Sequence, residues 1–143
     1  MEKVLCVCVG NISRSPMMQA LLQQRLGAGF QVESAGVQAG LAGRPANHRS
    51  VACLQERGID LSGHVSRWIG DLDLGQYRWI VCVGHEEAGQ VRAILGSGPA
   101  TVLVANADRG GVPDPYEHGM EGYRACAALL DEVMPDIARR IGG

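Results

Sequence analysis

The chain has 143 residues, 46 % hydrophobic and 20 % charged, with a formal net charge of −2 at pH 7. These values are ordinary for a globular protein, and the length suits one domain over residues 1–143. The charge leaves no basic excess for a nucleic-acid-binding surface. No apolar stretch approaches membrane-spanning length, and the first residues lead into a predicted strand without room for a signal peptide. We therefore expect a cytoplasmic protein without membrane insertion.

The hydrophobic pattern predicts strands in alternation with helices. Strands are expected at residues 3–8, 30–34, 79–83 and 100–104. Helices are expected at 15–26, 47–57, within 69–77, at 86–95 and at 120–141, the last one bent at Pro135. Alternation of this kind requires right-handed crossovers, so the predicted fold class is α/β, a four-stranded parallel sheet flanked by helices on both faces. The residues from 35 to 45 are expected to form a glycine-rich loop that carries specificity.

The segment between the first strand and the first helix reads Cys8-Val9-Gly10-Asn11-Ile12-Ser13-Arg14-Ser15-Pro16. A strand, a tight loop and a helix N-terminus direct backbone N–H groups and the positive end of the helix dipole at one point, which suits a phosphate. Ligands of such sheets bind beyond the carboxyl ends of the strands, where Cys8 is expected. The segment therefore predicts a phosphate-binding loop with a thiolate at its floor.

The residue types of this loop fit nucleophilic phosphoryl transfer. A cysteine thiolate is a nucleophile, and inward N–H groups together with Arg14 favour the anion. The planar fork of Arg14 can hold two phosphoryl oxygens and stabilise their charge. Gly10 allows close approach of the backbone, Asn11 tolerates a positive φ, and Ser15 can donate to the sulfur of Cys8 as it leaves. The expected substrate-binding residues of the loop are Val9, Gly10, Asn11, Ile12, Ser13 and Ser15.

On these residues the sequence resembles the low-molecular-weight protein tyrosine phosphatases. The resemblance covers nearly the whole chain and extends to 32–36, 58–61, 64–67 and 112–116; Leu41-Ala42-Gly43-Arg44 resembles the bacterial branch found with capsule and exopolysaccharide tyrosine kinases. It implies the family's three-layer α/β sandwich and hydrolysis of phosphotyrosine through a phosphocysteine. The implied partners are a phosphotyrosine protein such as a tyrosine autokinase, with inorganic phosphate as product, and the expected state is a monomer.

A second catalytic group is expected at Asp114, between Pro113 and Pro115. Tyrosine dephosphorylation needs a proton donor for the phenolate and then a base for water, and two prolines stiffen the loop that presents the carboxylate. Taken alone, Pro-Asp-Pro is more typical of a surface turn; the phosphate loop and the resemblance favour catalysis. Tyr116 is expected to form one wall of a slot for the aromatic ring, with Leu41 on the opposite side.

The resemblance also implies a hydrogen-bond network that supports the loop, and this chain differs from many family members at one loop residue. His64 lies where the family uses a histidine to brace the loop, with Asn11, Ser15 and Ser34 in the same hydrogen-bond network. Ser13 stands where many members carry a second cysteine, so this chain is not expected to protect an oxidised Cys8 as a neighbouring disulfide.

The five cysteines are odd in number, lie in apolar surroundings and show no metal-ligand spacing; they are Cys6, Cys8, Cys53, Cys82 and Cys126. We expect reduced thiols, no metal and no cofactor.

Four alternatives remain open beside tyrosine dephosphorylation. An arsenate reductase would need two further mobile cysteines, but Cys82 is expected inside a buried strand. A phosphoarginine phosphatase tends to have threonine at the position of Ile12. A phosphocarrier would need no acid such as Asp114, and a phosphate-binding module would need no cysteine at all.

Overall fold

The computed structural model describes residues 1–143 and contains four strands that alternate with helices. The strands are β1 (Glu2–Cys8), β2 (Phe30–Gly36), β3 (Trp79–Cys82) and β4 (Thr101–Val104). The helices are α1 (Arg14–Leu26), α2 (His48–Gln55), α3 (His85–Leu95) and α4 (Gly119–Gly142). The predicted alternation is confirmed. None of these helices combines the length and the apolar character needed to cross a bilayer.

All strand pairs are parallel, and the order across the sheet is β2-β1-β3-β4. The chain leaves β1 for β2 on one side and later returns to the other side of β1 for β3 and β4. The strand order therefore reverses beside β1, and the carboxyl end of β1 is Cys8. This is the place where open α/β sheets leave a crevice for ligands.

Alternate residues of β1 enter two separate hydrophobic cores, as a two-residue period requires. Val4, Cys6 and Cys8 pack with buried residues of α1 and α4, whereas Leu5 and Val7 pack with residues of α3. Helices thus cover both faces of the sheet, and the predicted layer arrangement is confirmed.

Some elements differ in their bounds or type from the sequence-based prediction. β2 continues to Gly36, where a side-chain Cβ would lie 2.7 Å from the carbonyl oxygen of Val9, so only glycine can extend the strand beside the phosphate loop. The short helix expected within 69–77 is instead two 3₁₀ turns, Ile69–Asp71 and Leu74–Gln76, because Asp73 accepts from the N–H of Gly75 and starts a new turn. The long final helix expected at 120–141 is confirmed as α4, which includes Pro135.

Candidate active site

The loop between β1 and α1 turns its backbone carbonyls away from its concave side. Donors from the surrounding protein hold the carbonyls of Cys8, Val9, Asn11, Ile12 and Ser13. Across a trans peptide the next N–H points opposite to the carbonyl, and the chain has no cis peptide. Five N–H groups therefore point inward, those of Val9, Gly10, Ile12, Ser13 and Arg14. They form a concave set of donors, called the cradle below, and this arrangement suits an anion.

The sulfur of Cys8 lies beneath this cradle, and the residue is 3 % exposed. The N–H of Asn11 donates to the sulfur at 3.2 Å, and the hydroxyl oxygen of Ser15 lies 3.0 Å from it. Asn11 adopts a φ of 59°, which confirms that this position needs a residue tolerant of the left-handed region. Both neighbours can donate to a thiolate, which itself can only accept.

The side chain of Asn11 sets the direction of these bonds. Its Oδ1 accepts from the N–H of Arg67 at 2.9 Å, which leaves its Nδ2 to donate to the hydroxyl oxygen of Ser15 at 2.8 Å. Since the Ser15 oxygen already accepts one hydrogen bond, its own proton is free to point at the sulfur of Cys8. Asn11 and Ser15 are fully buried. Their side chains therefore lie behind the loop and do not line the cavity, contrary to the expectation that they contact substrate.

His64 braces the loop as expected. Its Nε2 lies 2.7 Å from the carbonyl oxygen of Asn11, and because a carbonyl only accepts, Nε2 carries the proton. Burial, together with the nearby charge of Arg67, lowers the pKa of His64, although the bond to Asn11 opposes the shift. The imidazole is thus kept neutral with its proton on Nε2.

Ser34 does not join this network through its hydroxyl, contrary to the expectation. The hydroxyl donates to Oε1 of Gln19 on α1 at 2.5 Å, since that amide lies within reach of β2. The carbonyl of Ser34 instead accepts from the guanidinium of Arg67 at 3.1 Å. Ser34 is therefore connected to Asn11 only indirectly, through Arg67.

Arg67 has a structural role at the site that the sequence did not reveal. Its guanidinium also contacts Glu33 at 3.0 Å, and Tyr77 donates to the same carboxylate oxygen at 2.7 Å. Although burial disfavours the charge, these bonds lower the pKa of Glu33 and keep it ionised. The contact with Asn11 uses a backbone N–H, which every residue except proline possesses, so no side-chain pattern could have signalled it.

Arg14 begins α1, and its side chain is only 10 % exposed. One guanidinium nitrogen donates to the carbonyl of Val112 at 2.8 Å, and another lies 4.0 Å from a carboxylate oxygen of Asp114. Anchoring at Val112 orients the fork and leaves the other donors for a ligand. Val112 was not foreseen from the sequence.

Asp114 lines the same cavity as Cys8 and lies on an exposed turn. Its side chain is 59 % exposed, and its Oδ1 accepts from the N–H of Tyr116 at 3.1 Å. The carboxylate is therefore accessible to a substrate oxygen and held by its own turn.

A cavity of about 300 Å³ connects these parts. The predicted residues that line it are Cys8, Val9, Gly10, Ile12, Ser13, Arg14, Leu41, Asp114 and Tyr116, and two that were not predicted are Arg44 and Asn47. Leu41 packs directly on the loop, since a Cβ on Gly10 would lie 2.8 Å from its Cδ1. Tyr116 is 67 % exposed and forms an open wall. The hydroxyl of Ser13 lies 2.9 Å from that of the buried Tyr123 on α4, a further partner that the sequence did not indicate.

The family model described as low molecular weight phosphotyrosine protein phosphatase matches residues 3–142. The chain belongs to this family. Among curated relatives, the probable low molecular weight protein-tyrosine-phosphatase EpsP of Ralstonia nicotianae is 50 % identical over 130 residues, which cover 90 % of this chain and 88 % of the relative. The enzyme class of the chain is therefore that of a low molecular weight protein-tyrosine phosphatase, as the sequence predicted.

Two solved structures support the family fold. Wzb of Vibrio vulnificus in complex with benzylphosphonate superposes with a TM-score of 0.84 at 29 % identity, covering 97 % of this chain and 98 % of the other. The YwlE arginine phosphatase of Geobacillus stearothermophilus superposes with a TM-score of 0.84 at 25 % identity, covering 99 % and 93 %. This low molecular weight phosphatase thus shares its architecture with both of these proteins.

Proposed function

We propose that this phosphatase hydrolyses phosphotyrosine in proteins through a phosphocysteine at Cys8, with Arg14 binding the phosphoryl group and Asp114 acting as acid and then as base. One observation carries the proposal: Cys8, Arg14 and Asp114 line a single cavity whose floor is ringed by inward N–H groups. The other four cysteines are buried, and none of them lines this cavity.

In the first step the thiolate of Cys8 attacks phosphorus, the S–P bond forms and the bond from phosphorus to the phenolic oxygen breaks. The proton of Asp114 goes to the leaving phenolate. The inward N–H groups and Arg14 stabilise the charge on the three equatorial oxygens, and such fixed donors are the largest source of catalysis in many enzymes.

In the second step the carboxylate of Asp114 takes a proton from water, whose oxygen attacks phosphorus. The S–P bond breaks and inorganic phosphate leaves with the oxygen of that water. The departing thiolate accepts hydrogen bonds from Ser15 and from the N–H of Asn11, which lie 3.0 Å and 3.2 Å from the sulfur. The network behind the loop therefore acts on the leaving group of this step.

The walls of the cavity suit an aromatic ring. Leu41 and Tyr116 both line the cavity, and their apolar surfaces can contact a phenyl group. Tyr116 supplies the only aromatic wall, because Glu117 follows it where many family members have a second aromatic residue.

We further propose that the substrate is a bacterial tyrosine kinase of exopolysaccharide synthesis or export, met in the cytoplasm. The support is the 50 % identity to EpsP and the fold shared with Wzb. Five unpaired thiols, all buried, support a reducing compartment.

A second candidate, phosphoarginine hydrolysis, is favoured by the likeness to the YwlE arginine phosphatase. Ile12 lines the cavity and argues for tyrosine, because its bulk takes the place of the threonine that the arginine-directed members tend to have. Arsenate reduction has less support, since Cys82 is fully buried in β3 and burial raises its pKa to about 12.

The test compares matched peptides that carry phosphotyrosine or phosphoarginine, without added metal, for the wild type, Cys8→Ser and Ile12→Thr. We expect phosphotyrosine hydrolysis that Cys8→Ser abolishes. Preferred hydrolysis of phosphoarginine by the wild type would instead establish the second candidate, and activity retained at a tenth of the wild-type rate in Cys8→Ser would contradict the covalent mechanism.

A further inference from the structure

Arg44 places a cation at the rim of the active-site cavity. Its side chain is exposed and lines the cavity that contains Cys8. The guanidinium makes one hydrogen bond, a long one of 3.3 Å to the carbonyl of Gly40. No carboxylate lies within 4.0 Å of it, unlike Arg14 or Arg67. The charge of Arg44 is therefore left for a ligand.

The backbone that carries Arg44 is held firmly. Its N–H donates to the hydroxyl of Ser66 at 2.9 Å, and the N–H of Ser66 donates back to its carbonyl at 2.8 Å. Pro45 forms an antiparallel bridge with Val65, and Ser66 is 3 % exposed. The base of the side chain is thus fixed relative to the cradle, which reduces the ordering cost of binding.

The phosphoryl group itself does not need Arg44. The cradle N–H groups and Arg14, whose side chain is 10 % exposed, already serve that group, whereas Arg44 is exposed where it lines the cavity. When a phosphotyrosine ring occupies the cavity, a side chain at the rim can contact the peptide residues that flank the phosphotyrosine. On the loop between β4 and α4, the charged residue that lines the cavity is Asp114, whose carboxylic acid serves the leaving group in the proposed mechanism. The charge at the rim that remains for the flanking residues of a peptide is therefore that of Arg44.

We propose that Arg44 makes this enzyme prefer phosphotyrosine peptides with acidic residues next to the phosphotyrosine, an inference that rests on the proposed function. An exposed ion pair changes binding by roughly two- to fivefold. Charge reversal replaces attraction with repulsion for an acidic peptide and does the opposite for a basic one. The ratio of kcat/KM for the acidic peptide to that for the basic peptide should therefore fall by roughly tenfold or more in Arg44→Glu, since four pairwise effects contribute.

The experiment uses two phosphotyrosine peptides that differ only in flanking residues, aspartate in one and lysine in the other. Each enzyme is its own reference, because the ratio between the peptides cancels any change in the chemical step. Arg25→Glu is the matched control: it makes the same charge change near the far end of α1, at an exposed arginine without a carboxylate partner. If Arg44→Glu does not fold, two further measurements test the proposal. They are the peptide preference of Arg44→Gln and the salt dependence of the wild-type preference.

We expect the wild type and Arg25→Glu to favour the acidic peptide, Arg44→Gln to lose most of that preference and Arg44→Glu to reverse it. The wild-type preference should also shrink with added salt, since exposed charges are screened. An unchanged ratio in both Arg44 variants, or a wild-type preference insensitive to salt, would overturn this inference while leaving the phosphatase intact. Failure of the wild type to hydrolyse either peptide or p-nitrophenyl phosphate would instead overturn the proposed function and this inference with it.

Discussion

The hydroxyl oxygen of Ser15 lies 3.0 Å from the sulfur of Cys8 and accepts a hydrogen bond from the amide of Asn11 at 2.8 Å. Its proton is thereby directed at the sulfur whenever Cys8 is a thiolate. The Asn11 amide is oriented in turn by the backbone N–H of Arg67. A chain of three hydrogen bonds thus runs from the segment after His64 to the nucleophile.

Ser15→Ala should therefore slow release of the thiolate from the phosphocysteine. A hydrogen bond to a charged group contributes about 1.5–3 kcal/mol, so kcat for p-nitrophenyl phosphate should fall roughly ten- to a hundredfold. Stopped-flow release of p-nitrophenol should show a burst of about one equivalent followed by slow turnover. Ser34→Ala is the buried-serine control, because its hydroxyl bonds Gln19 instead. Equal losses in the two variants would contradict this assignment.

In Asp114→Asn, kcat/KM should depend steeply on the pKa of the leaving phenol. General acid catalysis typically accelerates a reaction by about 10²–10⁴-fold. The kcat/KM for phosphotyrosine peptides should therefore fall strongly, whereas that for phosphates of acidic phenols should fall less. The measurement is kcat/KM across a series of aryl phosphates, which reports the steps through phosphorylation of Cys8. Glu117→Gln, an exposed acid on the same loop, should keep the wild-type dependence. If kcat/KM of Asp114→Asn did not depend on the pKa of the leaving phenol, a residue other than Asp114 would be the general acid.

Acid should destabilise the protein partly through His64. The fold lowers the pKa of His64 below its ordinary value of 6.5, so the unfolded chain takes up this proton at a higher pH than the folded one. The contribution of His64 to stability is therefore complete above about pH 6.5 and is lost as the pH falls through the lowered pKa. His64→Gln retains a donor for the carbonyl of Asn11 but does not titrate. Its melting temperature should fall less than that of the wild type between about pH 7 and pH 5, and equal slopes would refute the prediction.

Peroxide should inactivate this enzyme without forming a disulfide at the active site. Ser13 contacts Tyr123 by its hydroxyl and offers no thiol to a sulfenic acid on Cys8, so oxidation should continue to sulfinic or sulfonic acid. Intact-mass analysis after mild peroxide would show the added oxygens, and dithiothreitol should not restore activity. Ser13→Cys should become recoverable, whereas Ser13→Ala should behave as the wild type. A mapped Cys8 disulfide in the wild type would disprove this prediction.

The parts of the site that are formed by residues close together in the chain could be predicted from the sequence. The strand, loop and helix around Cys8 and the positive φ of Asn11 follow from short-range chemistry. The cavity position of Asp114 was expected from the family resemblance, because Pro-Asp-Pro alone indicates only a turn. The contacts that the sequence did not predict are between residues distant in the chain. The hydroxyl of Ser34 donates to Gln19, and Arg44, in a loop after β2, lines the cavity. The predicted helix within 69–77 failed because Asp73 starts a new turn through its own side chain.

The most direct test of the mechanism is to trap the intermediate. Asp114→Asn mixed with p-nitrophenyl phosphate should accumulate phosphocysteine, because the leaving group departs unaided while water lacks its base. After acid quench, peptide mapping by mass spectrometry should locate one phosphoryl group on Cys8, and Asp114→Asn combined with Cys8→Ala should carry none. Turnover of p-nitrophenyl phosphate by the wild type with no phosphoryl group on Cys8 in the trapped variant would contradict the account.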